Sequence, residues 1–67
     1  MKLIVALKSG SVIKVENYKN ATTARGDEFG ENIEEMLIHD SYTYRFIGDN
    51  QLAVNGSEIS YIELVKQ

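Results

Sequence analysis

The stretch "KLIVALKSGSVIKVENY", from Lys2 to Tyr18, constrains the fold more than any other. Two runs rich in Val, Ile and Leu surround Ser9-Gly10, where Gly supplies the positive φ that a tight turn between antiparallel strands needs. Leu3, Val5 and Leu7 share one face of the first strand. Ile13 and Val15 do the same on the second, with Lys14 and Glu16 turned to water, the pattern of a half-buried antiparallel pair. The chain therefore opens with a β-hairpin.

Residues 1–67 make one small domain. At this size only about 60% of the unfolded surface is buried, so any partner surface matters energetically. The apolar fraction of 43% and the charged fraction of 25% match a folded globular chain rather than a disordered one. There is no Cys, which removes both a disulfide framework and a thiolate metal site. The longest apolar runs, "LIVAL" and "MLI", are too short to span a bilayer or to serve as a signal segment. A cytoplasmic protein with no membrane partner is the expectation.

In the middle, "KNATTARGDEFGENIEEMLIHD" changes character. Phe29, Ile33, Met36 and Leu37 recur at helical spacing, which predicts one amphipathic helix capped by Asp27. From Ser41 the period returns to two: Tyr42, Tyr44 and Phe46 alternate with Thr43, Arg45 and Ile47, and Leu52 and Val54 alternate with Ala53 and Asn55. Asn55-Gly56 signals a further turn before the last strand, "EISYIELV", which is apolar on both faces. The predicted fold class is α+β, mainly β: five short antiparallel strands in the order ββαβββ, forming a small SH3-like open barrel or curled sheet with one helix. The two-faced last strand requires wrapping or a partner, and the absence of Pro leaves the edge strands without one common guard.

Few residue constellations carry chemistry. His39-Asp40-Ser41 holds the residue types of a hydrolase triad, but adjacent side chains project in different directions. Glu31, Glu34 and Glu35 with His39 resemble helical metal ligands without the second helix that a two-metal site requires. No phosphate-cradling Gly-rich loop is present. Arg25-Gly26-Asp27 spells an adhesive tripeptide that matches by chance in a chain without an export signal. Gly48-Asp49-Asn50 reads as a corner whose Gly and Asn suit left-handed backbone angles and whose Asp bonds back to nearby amides. With no catalytic, cofactor or metal residues identified, the chain is read as a non-enzyme without a cofactor.

Charge is the remaining signal. Through Arg25 five basic residues face one acid, and beyond it two basic residues face nine acids, which together give the net charge of −3. Asp27, Glu28, Glu31, Glu34 and Glu35 form an acidic segment that would dock on a basic protein surface, against the simpler reading of a solvated helix back, and the leading expectation is a module that binds a host protein through this acidic helix or an exposed strand edge. Two alternatives stand beside it. Homo-oligomerisation would cover the two-faced strands. Tyr42, Tyr44 and Phe46 with Arg45 would stack on single-stranded nucleic acid, although Lys and Arg are sparse around them.

At "YRFIGDNQLAVNGSEISYIEL", Tyr44 to Leu64, the chain resembles small uncharacterised proteins of Gram-positive bacteria and their phages that end in a GDN corner, an "AVN" strand and an "I-x-Y-I-E" strand. The opening "LKSGSVIKVEN" is similar to their first hairpin. The resemblance covers about half the chain and implies a phage or mobile-element accessory protein; it carries over no functional residues. A more distant likeness to SH3-type barrels rests on short strands and a brief connector before the last one.

Overall fold

In a computed structural model of the chain, which describes residues 1–66 and only the backbone at positions 34 and 35, six strands form two antiparallel sheets. They are β1 (Lys2–Leu7), β2 (Val12–Val15), β3 (Asn20–Thr23), β4 (Thr43–Ile47), β5 (Gln51–Asn55) and β6 (Ile59–Val65). The first sheet has the order β2-β1-β6 and the second β3-β4-β5. The expected opening hairpin forms, with Leu3 opposite Val15, Val5 opposite Ile13, and Gly10 at φ 98° in the turn.

Both sheets turn apolar residues onto one core. Leu3, Val5, Val15 and Ile59 come from the first, Ala21, Tyr44, Phe46 and Val54 from the second, and Tyr18, Ile33 and Met36 close the gaps. Complete burial of a Leu, Ile, Val or Phe side chain contributes about 1.5–3 kcal/mol. A chain of this size with no disulfide rests largely on these few residues.

The α+β expectation is corrected: among the described residues there is no α-helix, only 3-10 turns at Asn32–Glu35 and Gly56–Glu58. "NATT", which carries no large apolar side chain, is instead β3, pairing Ala21 with Phe46 and Thr23 with Tyr44. The chain then turns and runs back along the outer edge of β3. Thr22 bridges Glu28, Phe29 N donates to Ala21 O (3.0 Å) and Thr23 N to Asp27 O (3.0 Å). Extended pairing thus claims the backbone groups that the first helical turn would have used. Gly30, at φ 53°, then breaks any helical path. It is held by Asn20 Oδ1, which accepts from Gly30 N (2.8 Å), and by the Tyr18 hydroxyl, which donates to Gly30 O. The helical spacing of Phe29, Ile33 and Met36 is satisfied by one 3-10 turn dropping Ile33 and Met36 into the core, while Leu37 points to solvent at 77% exposure.

The five-stranded SH3-like arrangement is corrected with it. Asn55-Gly56 does not close a hairpin. β5 pairs with β4, and β6 crosses to the other sheet to pair with β1, Lys2 opposite Val65 and Val5 opposite Ile62. The predicted sharing of a face by Tyr44, Phe46, Leu52 and Val54 does form, through the β4–β5 ladder.

Gly48-Asp49-Asn50 is a corner, but of another kind. Neither Gly48 nor Asn50 has a positive φ; the left-handed residue is Asn17, at φ 49°. Gly48 is small because a Cβ there would lie 2.5 Å from Glu16 O. Asp49 accepts from the Asn17 side chain (2.7 Å), Asp49 N donates to Glu16 O (2.8 Å), and the Asn50 amide donates to Lys14 O (3.1 Å). The corner fastens the second sheet to the end of β2.

Candidate functional site

A cleft of about 400 Å³ lies between the returning segment after β3 and the start of β4. It is lined by Thr23, by Asp27, Glu28 and Phe29 of the returning segment, by Met36, Leu37 and His39 of the segment before β4, and by Tyr42 and Tyr44. Segment 36–40 has no regular structure of its own. It is held by the Tyr44 hydroxyl, which accepts from His39 N (2.8 Å) and donates to Leu37 O (3.2 Å). Tyr44 is 1% exposed, so a core residue sets the position of the cleft wall.

An aromatic series runs outward from that residue. Phe46 stacks near Tyr44 (centroids 6.4 Å apart, 13° between planes), Tyr44 meets Tyr42 (6.5 Å), and the His39 ring lies tilted against Tyr42 (5.0 Å, 56°). Arg25 ends the series. Its guanidinium carbon is 5.2 Å from the Tyr42 ring centroid and its Nη1 donates to the Tyr42 hydroxyl. Such cation–π contacts contribute about 0.5–1 kcal/mol at exposed sites.

The carboxylates on the rim are positioned by hydrogen bonds rather than by a helix. Thr23 Oγ1 donates to Asp27 Oδ2 (3.1 Å) and accepts from Asp27 N (3.3 Å) and Arg25 N (3.3 Å), which makes the Arg25-Gly26-Asp27 tripeptide a turn built around one threonine. Asn20 Nδ2 donates to Glu28 Oε1 (3.0 Å). Both Asp27 and Glu28 stay exposed.

The predicted acidic segment is therefore divided. Asp27 and Glu28 reach the cleft, whereas Glu31 stands beside Tyr18. Burial, with the Glu31 charge added, pushes the Tyr18 hydroxyl up to about 12. Glu34 and Glu35 occupy the 3-10 turn, and their side chains lie outside the described residues. Among the described residues no three His, Asp or Glu side chains converge on a metal position. The His39 ring packs on Tyr42.

The four residues of the stacking alternative are not brought to one surface. Tyr44 and Phe46 are buried, Tyr42 is half-buried under Arg25, and Arg45 lies on the opposite face of β4 beside Thr43 and Ala53. Sequence reasoning missed the exposure of Leu37 and Arg25 as the partner of Tyr42. Both follow from the pairing of β3, for which four short residues give almost no signal.

No helix among the described residues is long and apolar enough to cross a membrane. Comparison of the chain with protein-family models, with curated proteins and with solved structures found no match.

Proposed function

We propose that the protein is a non-enzymatic interaction module that receives a short segment of a partner protein in the cleft between Glu28 and Leu37. The observation that carries the reading is Leu37. It is 77% exposed, in a concavity that Asp27 and Glu28 also line. An apolar anchor in one cleft with two carboxylates fits a segment with one apolar side chain and a neighbouring Lys or Arg, the charges contributing on-rate and specificity more than affinity. The resemblance of the GDN corner and last strands to small phage and Gram-positive proteins adds the setting, an accessory protein of a phage or mobile element acting on a host protein.

Selection of random displayed peptides on the purified protein tests this. Enriched sequences pair a basic with an apolar residue, and their binding weakens with salt as exposed charges are screened. Leu37→Ser lowers affinity about tenfold to a hundredfold, the loss expected when a buried leucine contact is removed. Binders indifferent to both Leu37→Ser and Glu28→Gln would refute the assignment.

A further inference from the structure

The first sheet has a second face that the core does not use. Leu3 and Val5 alternate inward, so Lys2, Ile4 and Ala6 point outward. The strand register builds three rows across this face. Val12, Ala6 and Tyr61 form one, Lys14, Ile4 and Glu63 the next, and Lys2 and Val65 the last. Val12 and Tyr61 are each 55% exposed, and between them in the row lies Ala6, 5% exposed. A sheet with an apolar row on its solvent side calls for a cover.

The charges say what the cover is. Lys14 and Glu63 flank Ile4 on opposite sides, one strand away from it in each direction. A twofold axis parallel to β1 and lying above it places β2 of one copy over β6 of the other. Lys14 then meets Glu63 of the partner subunit twice over, Ile4 meets its own copy, and Val12 covers the partner's Tyr61. A twofold axis perpendicular to the strands would instead oppose Lys14 to Lys14 and Glu63 to Glu63. Lys2, which meets its own copy on the strand-parallel axis, sits at the end of β1, where its side chain can extend to water. We infer that the outer face of β2-β1-β6 binds a second copy of this chain, sheet on sheet, in an isologous dimer with crossed Lys14–Glu63 pairs. Face-to-face sheets pack about 10 Å apart with strands within about 30° of alignment, which leaves the strand-parallel pairing intact.

Sedimentation equilibrium from low micromolar to millimolar protein tests it, with far-UV circular dichroism confirming that each variant folds. The wild-type chain shows a monomer–dimer equilibrium. Lys14→Glu and Glu63→Lys each weaken it on the order of tenfold or more, because each sets like charges face to face at both crossings. Mixing the two single variants restores association, since their reversed charges are complementary across the interface, and the doubly substituted chain dimerises with itself. A wild-type chain that is monomeric at millimolar concentration, a dimer insensitive to both reversals, or single variants that fail to associate when mixed would each overturn the inference.

Discussion

Replacing Gly56 by Ala probes how tightly the cleft wall is wedged against the second sheet. Gly56 has no positive φ, so its backbone suits any residue, and lowered entropy of the unfolded chain alone would make Gly56→Ala stabilising by about 0.4–1 kcal/mol. The packing predicts the opposite sign. A Cβ at position 56 would lie 2.1 Å from His39 O and 3.0 Å from Tyr44 Cε2. Restoring ordinary contact at about 3.4 Å requires the His39 backbone to retreat by about 1.3 Å. That backbone cannot move freely. His39 N is bonded to the buried Tyr44 hydroxyl, His39 O accepts from Tyr42 N, and Gly56 N donates to Tyr42 O. Overpacking costs about 1–3 kcal/mol, and a clash with fixed backbone belongs at the upper end. Against a total of about 3–10 kcal/mol for a chain of this length, about 3 kcal/mol is a large fraction. Urea denaturation followed by circular dichroism should show a markedly lower midpoint with an unchanged slope. A Gly56→Ala variant as stable as the wild type, or more so, would refute the wedge.

Two further outcomes follow from the loops around it. Because the Tyr18 hydroxyl is pushed up to about 12 from an ordinary 10.0, the unfolded chain loses its proton first; stability is indifferent to this group below pH 10 and falls as pH rises through 12. Alkaline titration of wild-type and Tyr18→Phe protein should show the extra downward slope only in the former; parallel curves would contradict it. At the left-handed Asn17, Ala loses both the bond to Asp49 and the tolerance for φ 49°, whereas Gly loses only the bond. Asn17→Ala should therefore be less stable than Asn17→Gly by about 1 kcal/mol, and equal denaturation midpoints would show that the turn carries no such strain.

What could be read in advance divides by element. The first hairpin and the β4–β5 ladder were legible because strict alternation and short turns are local signals. Leu3, Val5, Tyr44 and Phe46 declare their faces by parity alone. The segment from Asn20 to Asp40 misled because its apolar spacing fits a helix, while the competing extended path depends on Phe29 and Asp27 reaching back to β3. That competition is decided by pairing, not by period. The return also covers the outer edge of β3, so a chain without Pro protects this edge with its own backbone. Of the site, Asp27 and Glu28 were named from charge. Leu37 was not, because a helical stripe would have buried it.

A dimer through the first sheet and a cleft on the second would work together. Two clefts held by one assembly bind a repeated or clustered partner with an effective concentration that neither has alone, provided the partner's segments can span them. The acidic rims would then be presented in pairs.

The pairing of β1 with β6 has a further consequence, in time rather than in space. Lys2 lies opposite Val65, so β1 waits for a strand made long after it. Sheet β3-β4-β5 joins segments closer together in the chain and meets a smaller loop-closure cost. During synthesis the first hairpin is left with one edge of β1 open until β6 emerges, and only then does the whole core close.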